Sequence, residues 1–180
     1  MPSLFNIRIL EQGWLKGCDP EMDLCSHGKL SLIIGDTRIA DEGEEFGISE
    51  SALAMLRTIN SNHSADMPVA QRMIYHGCGT ILMMGCPIGI DWSVTHLDDR
   101  TVQIGDIIWY IETNENKARR YSGLTVKVPV LEYRSQVWTF ARQAKELFRG
   151  ITKRPENDFY KRDYEKFWME YNELLERHAF

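Results

Sequence analysis

A chain of 180 residues, 43% hydrophobic and 26% charged, has the make-up of one ordinary globular domain with enough residues to bury a substantial core. Its net charge of −5 works against general nucleic-acid binding, because neutralising phosphates needs a basic surface. The longest apolar runs, such as residues 81–84, are far too short to cross a bilayer, and the first residues lack the basic start and apolar middle of a signal peptide.

These features predict a single domain over residues 1–180, cytoplasmic and without membrane association, of a kind common among small bacterial proteins. In that compartment Cys18, Cys25, Cys78 and Cys86 are expected as thiols or metal ligands rather than disulfides. Charge is unevenly spread. Residues 1–66 carry five Lys/Arg against eleven Asp/Glu, whereas residues 114–150 carry eight against three. Such segments either compensate each other within the fold or present opposite patches to a partner.

Along the chain, Phe5 to Leu10 alternates well enough for a first strand. Gly13, Gly17 and Pro20 then mark a loop. Lys29 to Ile34 reads as a second strand, and Gly35-Asp36 as a two-residue hairpin turn into Thr37 to Ala40. The acidic loop Asp41 to Glu45 leads to Ser49, the expected N-cap of a helix that places Ala52, Leu53, Leu56 and Ile59 on one face. That helix should end near Asn60 to His63, where side chains compete for backbone hydrogen bonds. A short helix or loop is expected at 68–72.

From Met73 to Glu132 the pattern is β. Ile88, Ile90, Trp92 and Val94 take alternate positions, Asp98-Asp99 makes a turn, and residues 102–112 return with a bulge at Gly105-Asp106. A polar, basic loop spans residues 113–123. Leu124, Val126, Val128 and Val130 alternate again, with Pro129 placing that strand at an edge or near a bulge. Two helical stripes close the chain. Val137, Phe140, Ala141, Ala144, Leu147 and Phe148 form one; Tyr160, Tyr164, Phe167, Trp168, Tyr171, Leu174 and Leu175 form the other. The predicted fold is α+β: a mainly antiparallel meander with one internal helix and two C-terminal helices packed on one face.

Chemically capable side chains concentrate in residues 76–96, where His76, Cys78, Cys86 and His96 stand among Gly77, Gly79, Gly85 and Gly89. For zinc, the ligand types are Cys25, His27, His76, Cys78 and Cys86, but their Cys-x-His and His-x-Cys pairs match no recognised zinc spacing. The opposing expectation is that these cysteines act as small buried hydrophobes and that no cofactor is bound. For covalent catalysis, Cys78 between two glycines is the candidate nucleophile and His96 or His27 its candidate base, provided the fold brings one of them to it. No phosphate-cradling glycine motif occurs.

Small size, an acidic first third, a separate basic segment and no recognisable catalytic constellation favour a non-enzymatic binding domain with a protein partner, in the manner of an immunity or inhibitor protein. Its alternative is an enzyme, or a metal- or small-ligand-binding protein, using segment 76–96. A third reading is a structural subunit of a homo-oligomer, meeting its copies through the edge strand near residues 126–130 or through the last helix.

Overall fold

The computed structural model describes residues 3–77, 86–112 and 117–179. The first strand, β1 (Phe5–Gly13), pairs antiparallel with β2 (His27–Ile34). Phe5, Ile7 and Ile9 stand opposite Ile34, Leu32 and Leu30, so the alternation of both strands turns one apolar face inward. The Gly35-Asp36 turn then leads into β3 (Thr37–Ala40), with Ile34 opposite Thr37. Gly35 has φ of +59°, the conformation that a two-residue hairpin with glycine first requires.

A two-residue strand, β4 (Phe46–Gly47), pairs with the start of β2 and runs directly into α1 (Ile48–Thr58). Next come β5 (Ile74–His76), β6 (Gly89–His96) and β7 (Thr101–Tyr110), each antiparallel to the one before it in the sheet. Ser93 faces Gly105 while Asp91 faces Ile108, so the predicted bulge lies at Gly105–Ile107, with Asp106 at φ of +51°. β8 (Ala118–Arg120) and β9 (Val126–Pro129) both pair with β7, at its two ends. The strands form one antiparallel sheet in the order β1-β2-β4-β5-β6-β7-β8, with β3 beside β2 and β9 beside β7. The expected α+β architecture is therefore present.

α2 (Val130–Glu146) starts one residue after Pro129, earlier than the alternation of Val126, Val128 and Val130 suggests. Pro129 has no N–H to continue the ladder; it faces Thr101 and becomes the N-cap, while Val130 donates its N–H to the Arg100 carbonyl (2.8 Å). α2 also shields the outer edge of the sheet. Glu132 accepts from Ser3 Oγ (2.6 Å) and Leu4 N–H (3.0 Å), and Gln136 accepts from Ile7 N–H (3.3 Å). α3 (Asp158–Arg177) is capped by Asn157, whose side chain accepts from Tyr160 N–H, and packs across α1 and α2. Among the described residues no helix is long and apolar enough to cross a membrane. Residues 68–72 form bends rather than a helix.

α1 departs most from its sequence pattern. Its N-cap is Gly47, not Ser49, and every residue of it except Arg57 is buried. The sheet covers one side and α2 and α3 the other, so its polar residues need partners inside the protein. Ser51 Oγ donates to the Gly47 carbonyl and accepts from Tyr75 N–H (2.9 Å). Thr58 Oγ1 shares a 2.6 Å hydrogen bond with the Tyr133 hydroxyl. Beside it, the Phe5 ring lies 5.0 Å from Tyr133 and 6.0 Å from Trp92, all three fully buried.

Candidate functional site

Pairing along β4, β5 and β6 brings the two features that stood out in the sequence to one place. Phe46 stands opposite His76 in the ladder, and Gly77 donates its N–H to the Glu45 carbonyl (2.9 Å). The acidic loop 41–45 therefore borders the start of segment 76–96. His76 Nδ1 is 3.9 Å from Cys86 Sγ, both residues half-buried. Cys78 lies outside the described residues. A small cavity of about 60 Å³ between Glu45, Phe46, His76 and Trp109 opens toward a larger groove of about 360 Å³. Glu44, Trp109 and Ile111 line both spaces, and the larger one reaches Arg38, Asp41 and Arg119. The Arg119 guanidinium sits 5.7 Å from the centre of the Trp109 ring, and all five residues of loop 41–45 are exposed.

Cys25 and His27 belong to a separate, closed cluster. Residues 23–27, leading into β2, are all buried, and His27 Nε2 lies 3.3 Å from the Asp23 carboxylate. Asp23 also accepts from the N–H groups of Leu15 (2.7 Å) and Cys25 (3.2 Å). Burial works against the Asp23 charge, but His27 and these amides outweigh it and hold its pKa below the usual carboxylate value. Burial likewise opposes the His27 cation, yet Asp23, with Glu50 and Glu45 behind it, raises the imidazole above its ordinary value.

From α1, Glu50 completes the cluster. Burial pushes its carboxyl up despite hydrogen bonds from the Cys25 thiol and Ser49, the latter at 2.9 Å. His27 Nδ1 and Glu50 Oε1 are both buried without a hydrogen-bond partner among the described residues. Lys153 closes the outside: its Nζ donates to the carbonyls of Pro20 and Asp23, each at 2.6 Å, and rests 3.3 Å from the centre of the Trp14 ring. Burial brings its pKa down to about 8, even with Asp23 nearby. A carboxylate–imidazole–thiol set is the raw material of a nucleophile, but Cys25 is only 1% exposed, so no substrate reaches its sulfur in this conformation. Sequence reasoning named Cys25 and His27 but missed Asp23, whose only signal is that it stands four residues before His27; Glu50 and Lys153 had none, because they arrive from distant elements.

The remaining histidines are pinned. His96 Nε2 meets the Thr58 carbonyl at 3.0 Å and its backbone N–H donates to Asn62 (2.8 Å), so it joins β6 to the end of α1 rather than serving a thiol. His63 Nδ1 accepts from Val69 N–H (3.1 Å), which places the proton on Nε2, 3.1 Å from Asp91. With both nitrogens engaged, His63 is a strut and not a base. Among the described residues no three Cys, His, Asp or Glu side chains gather as a metal site; Cys25 with His27, and His76 with Cys86, stand as separate pairs.

Two buried histidines should shape stability against pH in opposite directions. His27, raised in the fold, stabilises fully below its unfolded value near 6.5 and loses that contribution as pH rises through its folded value. Glu50, also raised, adds to this alkaline loss from 4.5 upward. His178 is lowered by burial and by Arg134 and Arg177, so its penalty appears as pH falls below 6.5. Melting temperatures followed from about pH 5 to 8 should show His27→Gln flattening the alkaline limb and His178→Gln the acidic one. An alkaline slope unchanged in His27→Gln would remove the assigned role of the Asp23–His27 pair.

No protein-family model matches the chain, and neither a curated protein nor a solved structure matches it, so the functional reading rests on these side chains alone.

Proposed function

We propose that the protein is a non-enzymatic binding domain that holds a basic protein partner, in an immunity- or inhibitor-like role, through the face made by loop 41–45, Trp109 and Ile111. One observation carries this reading: exposed carboxylates of loop 41–45 rim a groove of about 360 Å³ lined by Trp109 and by Ile111, itself 45% exposed. An aromatic anchor with a charged rim is how protein interfaces combine affinity with steering. Arg38, 3.9 Å from Asp41, and Arg119 balance the two carboxylates on the groove itself, Asp41 and Glu44, so the acidic excess comes from Glu42 and Glu45 in the same exposed loop.

The alternative, chemistry or ligand binding in segment 76–96, draws on the 3.9 Å approach of His76 and Cys86. Among the described residues, the cavity that touches His76, about 60 Å³, is well short of the roughly 300 Å³ at which small-molecule sites begin. The larger neighbour, bordered by the exposed loop 41–45, favours a protein surface.

Co-purification from the native host with mass spectrometry should recover a basic partner. Reversing Glu42, Glu44 and Glu45 to Lys should then slow its association by about tenfold or more at low salt, with a smaller effect at high salt. Recovery of a partner-free species only, or association indifferent to the reversal, would refute the proposal.

A further inference from the structure

We propose that the groove between α2 and α3 is a binding site for a small planar aromatic anion, that is, a single ring system bearing a phosphate or carboxylate. This groove shares no lining residue with the acidic face and does not depend on the reading given above. Its volume, about 550 Å³, falls within the roughly 300–1,000 Å³ of small-molecule sites.

Charge selects an anion. Arg142, Lys145 and Arg149 share the α2 side of the groove with Glu146, and Arg149 is the one that pairs with Glu146, at 3.0 Å. Neither Arg142 nor Lys145 forms an ion pair among the described residues, although the Arg142 guanidinium rests 5.4 Å from the centre of the Trp138 ring. Two cationic groups are thus left to meet a phosphate or carboxylate, and a guanidinium suits the bidentate geometry of either.

Shape and chemistry of the walls select an aromatic body. The Phe148 and Trp168 rings lie 4.6 Å apart, and Tyr164 stands 6.2 Å from Trp168. These rings pack on one another, and the faces they turn to the groove offer a planar ring a stacking surface. Burial pushes the Tyr164 phenol up to about 12, so it offers a neutral hydroxyl rather than a second negative charge. Asn172 lines the same groove, and its Oδ1 is shielded from water with no hydrogen-bond partner among the described residues. A shielded, unpaired amide oxygen is costly, and a donor on the ligand would satisfy it.

Isothermal titration of the full chain with adenosine monophosphate, adenosine-5′-carboxylate and inorganic phosphate tests this directly. Saturable one-to-one binding is expected for at least one aromatic anion, and whichever binds more tightly names the preferred anionic group. Inorganic phosphate should bind at least about tenfold more weakly, because it lacks the stacking surface. Arg142→Ala with Lys145→Ala should weaken the aromatic anion by about tenfold or more while changing the melting temperature little, since Arg142 is exposed and Lys145 half-buried with neither in an ion pair among the described residues. Should that double variant fold poorly, Arg142→Glu alone, at an exposed position, is expected to give the same loss. The proposal is overturned if neither aromatic anion binds below about 1 mM, if phosphate binds as well as they do, or if the variants bind like the parent.

Discussion

Tyr171→Ala is expected to destabilise the protein by about 3–5 kcal/mol, the range for removing a large aromatic side chain from a packed core. Tyr171 is fully buried where α3 crosses the other helices. Its ring lies 4.8 Å from Trp168 and 5.7 Å from Phe167, and its hydroxyl donates to the Ala141 carbonyl of α2 at 2.7 Å. Truncation loses both the transferred area and the contacts across the resulting void. Nearby, Arg57 of α1 reaches Glu170 with two hydrogen bonds, of 2.6 and 2.7 Å, but both side chains are partly exposed. A half-wet ion pair of that kind contributes about 1 kcal/mol at most, so it does not replace the aromatic packing. Urea unfolding should show the full loss in Tyr171→Ala and only about 1 kcal/mol in Tyr171→Phe, which keeps the ring and drops one hydrogen bond. A Tyr171→Ala cost below about 1.5 kcal/mol would mean that α3 is peripheral to the core.

Gly28→Ala should cost about 3 kcal/mol or more, although the position looks unremarkable in sequence. A Cβ there would overlap the Glu11 carbonyl oxygen, coming within 2.7 Å of its carbon and 2.9 Å of Gln12 Cα. All three atoms are backbone, and Gly28 is held from both sides, opposite Gln12 of β1 and Phe46 of β4. Neither neighbour can give way without opening the irregularity between Ile9 and Glu11. That shift would also pull Gln12 Nε2 from Ser26 Oγ and the Ala144 carbonyl, both at 2.9 Å. Gly13→Ala is the internal control: a Cβ there meets nothing within 4 Å, so thermal melts should place it near the parent. Equal stability of the two variants would show that β1 slides freely at the bulge.

Local pattern carried a large part of the architecture. Period-two alternation marks β1, β2, β6 and β7, and the Gly35-Asp36 turn marks the first hairpin, because strand faces and tight turns depend on neighbours in sequence. The aromatic stripe from Tyr160 to Leu175 marks α3 for the same reason. β4 and β5, two and three residues long, are too short to show a period; they exist because β2 and β6 lie on either side to pair with them.

Sites obeyed the same division. The Cys25-x-His27 pair and the charge of loop 41–45 are local, and both were visible along the chain. What only the tertiary structure decided was company: Glu50 and Lys153 around His27, His63 locked by Val69 and Asp91, His76 set beside the acidic loop, and a cationic aromatic groove where α2 meets α3. Sequence determined which residues could line a strand or a helix face, since that follows from backbone geometry a few residues long. Which faces meet follows from long-range pairing and the exclusion of water from one shared core, and no short window of sequence contains either.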